Sequence, residues 1–117
     1  MNSSSLLPRV RAWLAAALLL SIAQAQTIFD VTLNTSALVG HSVAPFYLDF
    51  QLNDGSGVGN GNNTAILSSF NFGGGSAVAG TEFTIGGATG SLASSVILND
   101  SSFFNDFSQE FTPGSFL

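Results

Sequence analysis

Few side chains in this 117-residue chain could do chemistry, and their spacing narrows the choice further. His41 is the sole histidine, and there is no cysteine. A Ser-His-Asp arrangement could recruit a lone histidine. No Gly-x-Ser-x-Gly elbow presents a serine beside it, however, because Gly55-Ser56-Gly57 lacks the spacing. His41, in Val39-Gly40-His41-Ser42, therefore reads as a surface-loop residue. Zinc draws on thiol and imidazole ligands that this composition does not supply. Glycoside chemistry needs two carboxyl groups about 5 to 9.5 Å apart. Glu82 and Glu110 are acids that folding could bring together, though solvated strand-face carboxylates are the plainer reading. No catalytic residue, cofactor-binding residue or metal ligand is assigned, and the chain reads as non-enzymatic.

One loop has a composition suited to calcium. Asp54-Gly55-Ser56-Gly57-Val58-Gly59-Asn60-Gly61-Asn62-Asn63 combines a carboxylate, amide oxygens and glycines that let carbonyl oxygens converge. The EF-hand pattern fails, with Val58 at the fifth position from Asp54 and Ala65 where the closing glutamate belongs. The nonapeptide calcium repeat requires tandem copies, which are lacking. A flexible tip is the main expectation, and calcium the alternative. Asn34-Thr35-Ser36, Asn62-Asn63-Thr64 and Asn99-Asp100-Ser101 match the glycosylation sequon, a frequent chance match in such a chain. Tyr47 is the one tyrosine and the natural anchor for a sugar platform, although phenylalanine-rich strands more often build cores.

The first 25 residues announce export. Arg9 and Arg11 precede the uncharged run Ala12-Trp13-Leu14-Ala15-Ala16-Ala17-Leu18-Leu19-Leu20-Ser21-Ile22, which ends in Ala23-Gln24-Ala25. A basic start, a short apolar middle and small residues at minus three and minus one make a signal peptide cleaved after Ala25. The run falls short of the about 20 residues that span a bilayer, so no stable membrane span is expected after cleavage. The division is thus 1–25 signal peptide and 26–117 one small domain.

Both basic residues leave with the leader while all seven carboxylates stay, so the remaining side chains carry minus seven. Without lysine or arginine, phosphates cannot be neutralised by counterion release, which argues against nucleic-acid binding. An anionic membrane surface would repel the domain, and a Walker-type nucleotide loop lacks its lysine. Export without disulfides leaves stability to apolar burial and hydrogen bonds, and the 11 phenylalanines are the core material.

A period of two sets the elements that must position these residues. Phe46, Leu48, Phe50 and Leu52 alternate with Tyr47, Asp49 and Gln51 in the clearest strand. Phe29, Val31 and Leu33 predict a strand before it, with 39–43 as a connection. Thr64 to Phe72 predicts a third, with Ile66, Phe70 and Phe72 on one face, and the 54–63 loop would join it to the second as a hairpin. Gly73-Gly74-Gly75 breaks the chain. Glu82 to Ile85 reads as a short strand before Gly86-Gly87, and Ser91 to Leu98 as another, with Leu92, Val96 and Leu98 on one face. Phe103, Phe107 and Phe111 fit a helix, yet Phe103, Asn105, Phe107, Gln109 and Phe111 fit a strand, which is preferred over 107–111. Pro113-Gly114 looks like a turn toward a further strand. Short strands between turn signals predict an all-β, antiparallel β-sandwich or jelly-roll-like fold, incomplete at its end.

Several stretches resemble a family of bacterial exported proteins that carry a PEP-CTERM sorting tail. They are Phe46-Tyr47-Leu48-Asp49-Phe50-Gln51-Leu52-Asn53-Asp54-Gly55-Ser56-Gly57 with Gly61-Asn62-Asn63-Thr64, Phe72-Gly73-Gly74-Gly75-Ser76-Ala77, Asp100-Ser101-Ser102-Phe103-Phe104-Asn105 and Phe111-Thr112-Pro113-Gly114-Ser115. The resemblance runs over roughly residues 29–115. It implies a β-sandwich-like domain, further strands and a Pro-Glu-Pro tail handled by exosortase, in proteins associated with the extracellular polysaccharide matrix. This sequence shows no Pro-Glu-Pro, second apolar span or terminal basic cluster, which predicts a truncated form. The expected function is a non-enzymatic secreted or cell-surface protein, with extracellular polysaccharide or self-association as its partners. A carbohydrate- or calcium-dependent binding module and a self-associating β-rich structural protein are the alternatives.

Overall fold

The computed structural model describes residues 26–55 and 57–117, so the expected signal peptide lies outside the described residues. Seven strands follow in chain order: β1 (Phe46–Asn53), β2 (Thr64–Ser68), β3 (Ser76–Ala77), β4 (Phe83–Ile85), β5 (Gly87–Gly90), β6 (Ser95–Asn99) and β7 (Phe104–Thr112). One 3-10 turn at Ser36–Leu38 is the sole helical element among the described residues. No helix there is long and apolar enough to cross a membrane.

The strands form two antiparallel sheets. In the first, β7 is central, with β1 along one edge and the short β3 and β4 along the other. In the second, β6 lies between β2 and β5. The fold is therefore all-β and sandwich-like, as the alternation predicts.

Alternation on both sides of each sheet explains the core. Phe46, Leu48, Phe50 and Leu52 of β1 turn inward beside the buried Phe107 and Phe111 of β7. Val96 and Leu98 of β6, Ala88 of β5 and Leu92 meet them from the second sheet, and Ala65 and Leu67 of β2 pack against the same cluster. Rings run through it in sequence: Phe107 to Phe50 (6.5 Å), Phe50 to Phe70 (6.1 Å), Phe70 to Phe72 (6.3 Å), Phe72 to Phe111 (6.2 Å) and Phe111 to Phe46 (6.5 Å). Each buried aromatic contributes about 1.5–3 kcal/mol by desolvation, and offset ring pairs add to that.

Several strand expectations need correction. The 54–63 loop does not close a hairpin: β1 pairs with β7 and β2 pairs with β6, so the loop crosses between sheets. Local sequence cannot distinguish these outcomes, because both leave two alternating runs joined by a turn-rich stretch. Ile66 faces solvent, while Ala65 and Leu67 face inward. Ser69 adopts a φ of 62°, and Ser68 and Ser69 are both exposed. That left-handed residue shifts the phase of alternation, so Leu67 and Phe70 share the inward side.

Residues 26–33 form no strand, and Phe29 is 81% exposed. Their alternation finds a backbone partner only from Leu33 onward. There Leu33 and Leu117 exchange hydrogen bonds of 2.7 and 2.9 Å, and Asn34 bridges Phe116. The chain after Pro113-Gly114 thus returns to residues 33–35. β6 begins only at Ser95, and Leu92 enters the core from the turn before it. β5, rich in glycine and lacking apolar alternation, is a strand because β6 pairs with it. A Cβ at Gly87 would collide with the Asn99 carbonyl oxygen, which only glycine avoids.

Candidate functional site

The outward face of the first sheet brings together side chains that lie far apart in sequence. Tyr47, Asp49 and Gln51 alternate outward along β1, and Phe104, Asp106, Ser108 and Glu110 alternate outward along β7. Antiparallel register sets them in rows. Gln51, Asp106 and Ile85 stand side by side across β1, β7 and β4, as do Asp49, Ser108 and Phe83, while Tyr47 stands opposite Glu110. Tyr47 is 54% and Phe83 57% exposed, on opposite edges of this polar stripe. Two interstrand spacings separate those edges, about 10 Å. Phe104 and Ile85 are also exposed.

Asp106 is the unusual member. It is only 6% exposed, and its Oδ1 is buried with no hydrogen-bond partner. Burial pushes its carboxyl above the ordinary range, and the hydrogen bond to Asp49 and that residue's charge push the same way. The Gln51 side chain opposes the shift. A raised Asp106 pKa widens the pH range over which that carboxyl keeps its proton and can donate a hydrogen bond. No lysine or arginine exists in 26–117 to neutralise the pair.

Beneath this face, two buried amides of β7 join the sheets. Asn105 Oδ1 accepts from Gly87 N (2.7 Å) and Ser102 N (3.2 Å), while Nδ2 donates to Leu52 O (3.0 Å) and Ser102 O (2.7 Å). Gln109 Oε1 accepts from Leu92 N (2.8 Å), and Nε2 donates to Val78 O and Glu82 Oε1, both at 2.9 Å. These satisfied amides fix the register that places Asp106 and Ser108 outward.

The 54–63 loop spends its oxygens internally. The buried Asp54 accepts at Oδ2 from the backbone N–H groups of Val58 and Gly59, and its own N–H donates to Phe103 O (3.0 Å). The buried Asp100 accepts from Asn63 N (3.0 Å) and Asn63 Nδ2 (2.7 Å). What converges on these carboxylates is N–H groups. Among the described residues, no cluster of three or more acidic, histidine or cysteine side chains could hold a metal.

The remaining sequence candidates are dispersed. His41 Nδ1 accepts from Val43 N (3.3 Å), and its ring meets Phe46 edge-on at 6.4 Å. Glu82 turns to Gln109, on the inward side of β7, whereas Glu110 lies on the outward face, so folding does not pair them. Of the sequon asparagines, Asn34 Oδ1 accepts from Ser36 N (3.1 Å), and Asn99 Nδ2 donates to Thr64 Oγ1 (3.0 Å).

Sequence reasoning missed the Asp49–Asp106 pair. Its only signal was that each acid occupies an outward position of an alternating strand. Tyr47 is a candidate in the sequence, while Phe83 and Phe104, exposed on the same face, are not. No family model matches the chain, and neither a curated protein nor a solved structure matches it.

Proposed function

We propose that this chain is a non-enzymatic exported β-sandwich module of a bacterial surface or extracellular polysaccharide matrix, and that it holds a neutral glycan on the outward face of the first sheet. The leader pattern of residues 1–25 supports export, and the resemblance to proteins that carry a PEP-CTERM sorting tail supports the matrix setting. One observation carries the glycan reading: the exposed rings of Tyr47, Phe83 and Phe104 share a face with Asp49, Asp106, Gln51 and Ser108.

Rings offer flat apolar surfaces to the C–H faces of sugars, and carboxylates accept hydrogen bonds from hydroxyl groups. A side-chain charge of minus seven over 26–117 disfavours uronic-acid or sulfated polymers by like-charge repulsion. Hydrolysis is disfavoured too. A glycosidase keeps its carboxyls about 5 Å or more apart to admit the sugar, whereas Asp49 and Asp106 are hydrogen-bonded to each other.

Affinity electrophoresis tests this reading. Mobility should fall in gels containing hydroxyethyl cellulose or another neutral glucan and stay unchanged in alginate. Tyr47→Ala and Phe83→Ala should each restore much of the lost mobility. Unaltered mobility across a broad panel of neutral polysaccharides would refute the proposal.

A further inference from the structure

The second sheet has an open side. β2 is its edge strand, bonded to β6 on one flank, and its outer flank carries no ladder among the described residues. A groove of roughly 1400 Å³ runs along that flank, bounded by Phe50, Ile66, Leu67, Phe70 and Phe116 on one side and by residues 26–33 on the other. Unpaired backbone groups on such an edge form a template for an added strand.

The same chain carries a strand-like segment without a strand partner. Ile28, Phe29 and Val31 are largely exposed, Val31 by 73%, in a run that alternates Phe29, Val31, Leu33 against Asp30 and Thr32. The segment 28–33 is long enough to pair along all five residues of β2. The Leu33–Leu117 hydrogen bonds anchor its end, and residues 26–33 line the groove together with β2.

We infer that two copies of this chain associate by strand exchange, residues 28–33 of one copy pairing along β2 of the other. Phe29 and Val31 then enter the groove toward Leu67 and Phe70, and Asp30 and Thr32 take the solvent side beside Ile66. β2 and the groove wall carry no charged side chain apart from Asp30 of the segment, so no buried ionised side chain opposes the contact. Reciprocal exchange closes the assembly at two copies and caps both open edges. Net negative charge on each copy opposes the approach of the two bodies, so added salt strengthens association.

Sedimentation equilibrium on the chain beginning at Gln26 tests this. The expected result is a monomer–dimer equilibrium that shifts toward dimer with sodium chloride. Phe29→Asp combined with Val31→Asp should weaken it by about a hundredfold or more, with a melting temperature unchanged at concentrations where the wild type is monomeric. A synthetic peptide of residues 26–34 should dissociate the dimer. A monomer at every concentration would overturn the inference. So would a dimer indifferent to the double variant and the peptide, or a monomer whose amides at 29–32 are protected from exchange by docking on their own β2.

Discussion

Asp49 and Asp106 meet on the outward face of the first sheet, where one carboxyl is hydrogen-bonded to the other and the buried Oδ1 of Asp106 lacks a partner. β1 and β7 supply one acid each, and the antiparallel register that pairs Gln51 with Asp106 sets the two diagonally adjacent.

A raised Asp106 pKa fixes a pH dependence. Between the ordinary aspartate value of 3.8 and the raised folded value, the folded state binds more protons than the unfolded chain. The stabilising contribution of Asp106 is therefore complete below that window and is lost as pH rises through it. Asp106→Asn should stabilise the protein at pH 7 and flatten this loss. Denaturant melts from pH 3 to 8 read it directly. Equal pH slopes for wild type and variant would show that the Asp106 pKa is not raised in the folded protein.

Asn105 and Gln109 should behave as staples between the sheets. Asn105→Ala strands the Gly87 N–H and the Leu52 carbonyl, while Gln109→Ala strands the Leu92 N–H and leaves the Val78 carbonyl with Thr81 Oγ1 as its donor. Each is expected to cost about 3 kcal/mol or more, because unsatisfied buried groups retain their desolvation penalty. The exposed Thr89→Ala should stay within about 0.5 kcal/mol. Urea denaturation distinguishes them, and amide losses comparable to Thr89→Ala would contradict the network.

Gly87→Ala tests the close approach of β5 to β6. The added methyl meets the Asn99 carbonyl oxygen and the Ser101 hydroxyl, so a loss of about 1–3 kcal/mol is expected. Gly55→Ala, where a Cβ has open space, serves as the control.

The 54–63 loop should not respond to calcium, because its carboxylates already accept backbone and side-chain N–H groups. Millimolar calcium is expected to leave the melting temperature unchanged. Asp54→Ala should lower stability by about 1–3 kcal/mol with or without calcium, by removing the charged acceptor of the Val58 and Gly59 N–H groups. A calcium-induced rise in melting temperature that Asp54→Ala abolishes would reverse this conclusion.

What could be read in the sequence follows from the range of each interaction. Alternation over Phe46 to Leu52 named β1 and its inward residues, and the preference for a strand over 107–111 named only the later part of β7, which begins at Phe104, because burial on one face is a local pattern. Pairing is non-local, which is why 54–63 looked like a hairpin tip and why Asp49 and Asp106 gave no sign of meeting. Ser69 misled through one dihedral angle that reversed the phase between Ile66 and Phe70. β5 stayed hidden because Gly87-Ala88-Thr89-Gly90 has no apolar period, its pairing being imposed by Val96 to Asn99. Asn105 and Gln109 were legible as strand-face residues, but their burial depends on partners from 52, 78 and 87–92.

The proposal that the outward face of the first sheet binds glycan is tested most directly by nuclear magnetic resonance titration of the chain beginning at Gln26 with soluble neutral gluco-oligosaccharides. Shift changes should cluster at Tyr47, Asp49, Phe83, Phe104 and Asp106, and leave β2 and β6 undisturbed. Perturbations confined to β2, β5 or the 54–63 loop, or no perturbation at millimolar sugar, would contradict it.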